Sequence, residues 1–302
     1  MIAPSAYESP AYHAEAALLY AWTAEADLAY AIEGEGKKSR ALNPSFKPAI
    51  GFKFELGAPL PHDKWDIALR LTHLHSRASV HQEGAELTPL WSLSQTNPTG
   101  FVDEARGHWR LHFGMVDLEL GNTFLAGPTL AIRPFLGLRY AIIRQKYLLS
   151  YFGGALFPGA KDYLSMKNKF LAPGVCTGVD IDWKIKGSWS LYSHAGFSIQ
   201  VGQVYVHEIE QLSTEKFKRG NIYDRFYMAK PIVDWAVGIQ WETPSFGRKR
   251  EERFLFRAGW EQYLFFAQNQ FFHFLSSGRR PFTLNHESLS IQALSLSATF
   301  LF

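Results

Sequence analysis

From residue 294 to the end of the chain every second side chain is apolar: Leu294, Leu296, Ala298, Phe300 and Phe302. The residues between them, Ser295, Ser297 and Thr299 before Leu301, are mostly small and polar. A period of two places successive side chains on opposite faces of an extended strand. One such strand is common, but this chain repeats the pattern along its whole length. The same alternation fits residues 18–32, 47–56, 65–74, 130–142, 171–183, 189–201, 227–241 and 254–266. Residues 109–120 follow it less regularly: near Gly114 either the parity slips, as at a bulge, or the inner face turns apolar. The pattern predicts an all-β, antiparallel up-and-down sheet of about ten strands, or twelve if residues 86–94 belong to an extra hairpin. Residues 1–302 read as one domain, with residues 1–13 as an N-terminal extension.

Alternation alone does not say which face meets which solvent. In a soluble antiparallel sheet the apolar face turns to the core. In a membrane barrel it meets lipid, and the polar face lines the lumen. Three observations favour lipid. The strands run to about ten residues or more, as a tilted crossing requires, where soluble strands average about five or six. Trp65, Trp183, Trp189 and Trp241 stand at strand ends beside short connections, as an interfacial girdle requires. The connections also alternate in length: 57–64, 121–129, 184–188 and 242–252 are short, whereas those near 33–46, 77–107, 153–168, 206–224 and 269–286 are longer. Short turns on one side and long loops on the other are the habit of outer-membrane barrels. Both termini then fall on the periplasmic side.

Other classes find little support. No apolar run approaches the roughly 18 residues of a spanning helix. The 31 basic and 28 acidic residues nearly balance, which argues against a nucleic-acid partner. The run Arg248-Lys249-Arg250 followed by Glu251-Glu252 reads as a solvated turn. The lone Cys176 forms no intrachain disulfide and no cysteine metal cluster. No phosphate-cradling loop, nucleophile elbow, zinc helix or calcium loop occurs, so no cofactor, metal site or catalytic residue is assigned.

The chemistry sits on the polar face. Parity turns Lys53, Glu55, Arg70, Asp117, Glu119, Arg133, Arg139, Asp180, Lys230, Asp234, Arg257 and Glu261 inward, together with Glu25, Asp27, Asp66 and Asp182. Confined charges are costly unless paired or hydrated. With a turn centred near Leu125, Asp117 comes opposite Arg133. The inward charges read as a network holding a narrow barrel in shape, as pore-lining groups selecting ions, or as both. His73 and His75 share one side of a strand at its outer end, where interfacial or loop contact is the expected role. Asp103, Glu104 and His108 are the residues to watch for a rim protease site.

Several blocks resemble, in order, the Legionella-type pore-forming major outer membrane protein family, also found in environmental chlamydiae. They are WRLHFGMVDLEL, IRPFLGLRYAIIRQKY, GSWSLYSHAGFSIQVGQ, PIVDWAVGIQWET and AGWEQYLFFAQNQF. The resemblance runs from about Ala17 to Phe302. It implies an outer-membrane barrel passing small solutes, with lipids and the barrel-assembly machinery as partners. Phe300 and Phe302 would form the assembly signal. The expected function is passive diffusion of ions or small polar solutes through a narrow charged lumen. Geometry keeps a structural or adhesive barrel with a plugged lumen open, because about eight strands give a filled interior and open channels are typical at 16 to 18. An outer-membrane protease is the third reading.

Overall fold

The computed structural model describes residues 12–34, 39–61, 64–92, 100–245, 252–274, 282–284 and 286–302. Ten long strands close into a ring: β1 (His13–Glu25), β2 (Ala49–Pro59), β3 (Trp65–Pro89), β4 (Val102–Asn122), β5 (Leu130–Gly153), β6 (Phe157–Lys186), β7 (Trp189–Leu212), β8 (Gly220–Glu242), β9 (Arg253–Phe265) and β10 (Leu289–Leu301). Each pairs antiparallel with its sequence neighbours. The last strand pairs with the first from His13↔Leu301 to Glu25↔Leu289, which removes the sheet edges. Ten is therefore the strand number. Residues 87–89 of the anticipated extra hairpin pair instead with a short strand, Ala31–Glu33, inside the far mouth. Residues 93 and 94 lie outside the described residues, as do 1–11 of the N-terminal extension and the turn at 248–251.

The outer face follows the predicted parity around the terminus end of the barrel. Leu18, Phe54, Leu69, Leu118, Leu136, Val175, Ile199, Val237 and Leu296 are all exposed, as lipid-facing side chains of an isolated chain must be. Trp65, Trp183, Trp189 and Trp241 are exposed beside the short turns. Aromatic rings join on the same rim: Trp241 with Phe256 at 5.8 Å, and Phe254 with Phe300 at 5.0 Å. Since Val237 faces acyl chains, Val237→Arg is expected to cost about 2 to 4 kcal/mol of folding free energy in lipid vesicles. Urea unfolding curves in vesicles check this, and an unchanged midpoint would mean that the outer face is misassigned.

The far half departs from expectation. Residues 77–89, 102–107, 157–168 and 206–212 are not loops but continuations of β3, β4, β6 and β7. The reason is an inversion of the pattern with its period intact. Up to Leu71 and down to Val116 the outward residues are apolar. Beyond them His73, His75, Arg77, His112 and Arg110 face out, while Leu74, Ala78, Val80, Trp109, Leu111 and Phe113 are buried inside. The irregularity near Gly114 is this change of inner face, because the β4 register runs through it unbroken. Above the lipid belt the sheet faces water outside and an apolar core inside, as a soluble sheet does.

Six consecutive strands, β3 to β8, form this tall wall, with β6 reaching 30 residues. The other four are short, and the connections beyond them fold inward to cover the wall. β1 ends at Glu25 rather than at residue 32, since Asp27 adopts φ 63° and turns the chain into the mouth. Asp27 is consequently exposed rather than inward. Leu28, Tyr30, Trp91, Phe271 and Phe272 dock in the core. Buried hydroxyls hold the entering backbone: Tyr147 Oη donates to Leu28 O at 3.1 Å and Tyr151 Oη to Tyr30 O at 2.7 Å.

Candidate functional site

The strand parity that puts Val237 in lipid puts Asp234 in the lumen, and the same holds on every neighbouring strand. Of the sixteen residues assigned inward all but Asp27 point there, and most join one network. Starting near the terminus end, His13 Nε2 contacts Glu55 Oε1 at 3.1 Å, and Arg70 Nε donates to Glu55 Oε2 at 2.6 Å. Arg70 Nη1 continues to Glu119 at 3.0 Å. Arg133 donates through Nε to both Asp66 oxygens at 3.0 Å, and through Nη1 to Asp180 Oδ2 at 2.8 Å. His194 joins Asp180 (Nδ1, 2.6 Å) to Asp234 (Nε2, 2.9 Å). Arg139 closes the chain by gripping Asp117 at 2.8 and 3.1 Å and pairing with Asp234. Both ring nitrogens of His194 meet carboxylate oxygens, which only accept, so the ring donates from both and is a cation here.

The register corrects one expected pair. Asp117 lies opposite Arg139, not Arg133. The 123–129 connection contains a short strand, Phe124–Leu125, that pairs back on Ala131 and Ile132 and shifts the centre of the turn. Arg133 pairs across β6 with Asp180. Glycines make room for these groups: a Cβ on Gly196 would stand 2.6 Å from Asp234 Oδ2, and one on Gly121 would overlap the Arg133 guanidinium.

Two smaller clusters flank the network. Lys53 Nζ donates to Glu261 at 2.7 Å, and Tyr263 Oη to the same carboxylate at 2.9 Å. Arg257 donates to Gln240 at 2.7 Å and to Glu15 at 3.3 Å. Lys230 stands apart. It lies in the far half, 4.6 Å over the Phe170 ring, and donates to Gln268 at 3.1 Å. Sequence reasoning did not single out His194 as a partner, although the period placed it inward, because a partner is set by register; His13 and Glu15 precede the stretch read as the first strand, which in the structure begins at His13.

Together the charges line a cavity of about 170 Å³ in the terminus half of the lumen. Met115 and Tyr263 are among its lining residues. One inward step further along β4 from Met115, Phe113 packs on Tyr263 at 5.9 Å and on Phe265 at 5.3 Å. Trp109 follows against Phe46 at 5.1 Å, and Trp91 meets Tyr147 and Phe271 at 6.3 and 6.2 Å. These rings are buried or half-buried, so the charged cavity ends against a packed core of rings, with the hydrogen-bonded Glu25, Gln145, Asn168 and Lys230 set among them.

The other candidates fall elsewhere. Cys176 is buried on the lumen side. His73 faces outward with its ring 5.2 Å from Phe52, and His75 contacts His112 at 3.1 Å. Asp103, Glu104 and His108 are not gathered: Asp103 accepts from Gly154 N at 2.7 Å, Glu104 pairs with Arg106, and His108 faces outward opposite Ser79. On the outer rim His81, Glu83 and Glu104 converge, and Arg106 contacts both carboxylates.

Within the far core, beyond the lipid belt, two carboxyls are held neutral. Burial pushes Glu208 up to about 8 while its Oε1 accepts from Phe272 N at 2.8 Å. Burial, followed by the neighbouring Glu210, raises Asp162 to about 8. A carboxyl raised in the folded state keeps a proton that the unfolded chain releases near pH 4 to 4.5. Its contribution to stability is complete below that range, declines as pH rises, and levels off above about 8. The docking of Phe271 and Phe272 is therefore expected to weaken between about pH 5 and 8. Amide exchange of these residues, corrected for intrinsic rate, checks this, and Glu208→Gln should flatten the dependence. An equally steep pH profile in Glu208→Gln would show that Glu208 is not the group responsible.

Comparison with known proteins gives the family. A search of curated proteins returns no match. Among solved structures, the Escherichia coli outer membrane protease OmpT is 13% identical, with 99% of this chain and 100% of that chain covered and a TM-score of 0.48. A Pseudomonas aeruginosa FadL homologue is 11% identical over 98% and 93% of the chains, with a TM-score of 0.29. The Pseudomonas putida toluene transporter TodX is 10% identical over 100% and 93%, with a TM-score of 0.28. The family model described as the Legionella pneumophila major outer membrane protein precursor matches residues 5–301. A closed ten-stranded barrel with an apolar outer belt and a charged lumen, matched over nearly its whole length, belongs to the Legionella major outer membrane protein family and resides in the outer membrane.

Proposed function

We propose that this protein is a structural barrel of the outer membrane, with a closed lumen and with both termini at the periplasmic face. The observation that carries the reading is the succession of two seals along the lumen: a continuous net of ion pairs across the barrel, then an aromatic core over it. A void without polar partners stays dry, and a dry constriction blocks ions as well as a charge barrier does. Purified protein in planar bilayers is expected to be silent at low and high salt, and stepwise conductance of the unaltered chain would overturn the proposal. The reading assigns no catalytic step, and a peptide-cleavage assay checks that.

A second reading, the narrow diffusion channel, is favoured by the make-up of the cavity. Eight carboxylates line it (Glu15, Glu55, Asp66, Asp117, Asp180, Asp182, Asp234 and Glu261) against Lys53, Arg70, Arg133, Arg257 and the His194 cation, with Arg139 reaching Asp117 and Asp234 from behind, so a smaller excess of carboxylate remains. Were the far core to separate, small cations would pass in preference to anions.

The chain's end supports insertion. Phe302 N donates to Tyr12 O at 3.0 Å, and its exposed ring stacks on Phe300 at 5.4 Å. We place the signal read by the assembly machinery in Phe300 and Phe302. Phe302→Asp is expected to lower membrane yield in cells several-fold while refolding in detergent stays normal; equal yields in cells would remove the assignment.

A further inference from the structure

The pattern inversion leaves an unusual surface. Where the tall strands leave the apolar belt, basic residues gather outward in the same two rows of the sheet, most densely on β3 to β6. One row runs His75, His112, Arg144, Lys169, Tyr205, Arg225 across β3 to β8. The next runs Arg77, Arg110, Lys146, Lys167, His207, Tyr223. Neither row contains an acid. The row beyond, Ser79, His108, Leu148, Ser165, Ile209 and Asn221, contains none either.

Like charges directly opposite on neighbouring strands are destabilising. Here Arg77, Arg110, Lys146 and Lys167 stand side by side, as do Arg144 and Lys169. Among the described residues no carboxylate pairs with any of these lysines or arginines. The nearest outward acids, Glu83 and Glu104, lie further from the belt and are engaged by His81 and Arg106. His75 and His112, 3.1 Å apart, are held below the usual histidine value first by burial and then by neighbouring cations. The patch is also one-sided. On β1, β10 and β9 the outward rows Tyr20, Leu294, Trp260 and Trp22, Gln292, Gln262 carry no charge. Repulsion of this kind, carried on the strands directly above an acyl-chain surface, suits a ligand that is itself anionic and acylated.

We infer that these two rows form a docking surface for outer-leaflet glycolipids whose headgroups carry more than one phosphate. The acyl chains lie on the apolar belt around Leu136, Leu138, Val175 and Ile199, and the phosphates lie across Arg110, Arg144, Lys146 and Lys167. Arginine grips phosphate in a fork, and lysine adds point charge. The outer-leaflet assignment rests on the periplasmic placement of the termini proposed above; the affinity itself does not.

The test titrates purified full-length protein in neutral detergent with diphosphorylated lipid A, its phosphate-free form and inorganic pyrophosphate, read by native mass spectrometry. Diphosphorylated lipid A is expected to bind about a hundredfold more tightly than the phosphate-free lipid. The triple variant Arg110→Gln, Arg144→Gln, Lys167→Gln, which alters only exposed side chains, is expected to remove that preference while the barrel keeps its fold. Equal binding of the phosphate-free lipid would overturn the proposal. So would pyrophosphate binding as tightly as the lipid, or an unchanged preference in the folded triple variant. Labelling of Lys216→Cys in intact cells by an impermeant maleimide tests orientation separately: failure there removes the outer leaflet, not the lipid site.

Discussion

Arg139→Met is expected to lower the stability of the refolded barrel by about 3 to 5 kcal/mol, the largest effect of any single charge in the lumen. The Arg139 side chain has no exposure, and its partners Asp117 and Asp234 have 1% and 4%. It donates to Asp117 Oδ1 and Oδ2, to Asp234, and to Ser198 Oγ at 3.2 Å. Removing it leaves two buried carboxylates facing each other, with His194 as the remaining cation on one of them. The cost is that of the abandoned charges, not of the lost attraction. A combined Arg139→Met, Asp117→Leu, Asp234→Leu variant should therefore recover much of the loss, since apolar replacement of a buried triad is often neutral or stabilising. Urea unfolding in lipid vesicles, followed by tryptophan fluorescence, measures both. A single variant costing less than about 1 kcal/mol would place water, not protein, as the partner of these carboxylates.

That residue also marks the limit of what can be read from the chain. The alternation of Val233, Trp235 and Val237 with Asp234 and Gly238 is set by a period of two, and lipid outside makes it unmistakable. The same period turned Arg139 and Asp117 inward correctly. Which charge meets which depends on register, and register depends on how the connecting turn is built. The short strand at Phe124–Leu125 sits in a stretch with no alternation to announce it, so counting from a turn near Leu125 puts Asp117 opposite Arg133, where the register puts it opposite Arg139.

The tall wall was hidden for a different reason. Residues 144–153 and 157–169 keep the strand period, but Arg144, Lys146, Lys167 and Lys169 occupy the positions that lipid-facing residues hold lower down. A search for apolar residues on the outer parity ends where the solvent changes from lipid to water. The inner parity, Ile143, Tyr147, Leu149 and Tyr151 on β5 and Leu164, Met166 and Phe170 on β6, continues the strand without interruption. Leu28, Trp91 and Phe271, which complete the core, come from connections beyond the short strands. Leu28 keeps the outward parity of β1, and the turn at Asp27 brings it inside instead; nothing periodic marks Trp91 or Phe271, and only the closed far end explains their apolarity.

That core supplies the second large expectation. Trp109→Ala with Phe113→Ala removes two rings that are at most 1% exposed, and core truncations of this kind cost about 3 to 5 kcal/mol each. The lost volume lies between the charged cavity and the far mouth, where a wetted gap would open a path. The walls that remain include the apolar Leu111, Met115, Ile143 and Phe265, with Glu25, whose carboxyl neighbours Trp109 and accepts from Gln145 at 2.6 Å, as a polar group at one end. A water needs about two to four polar partners, more than this one carboxyl offers, so the alanine pair is expected to stay silent in bilayers despite its lower stability. Trp109→Ser with Phe113→Ser vacates nearly the same space but lines it with hydroxyls that hold water. This variant is expected to conduct in small steps, with cations favoured by the carboxylate excess of the cavity behind it. Reversal potentials in a salt gradient give the sign, and the preference should shrink as salt is raised toward 1 M, where screening shortens to about 3 Å. If the alanine and serine pairs conduct alike, wetting is not what holds the lumen shut. If both are silent and folded, the ion-pair net is itself the barrier, and the path must then be sought by neutralising Arg133 and Asp180.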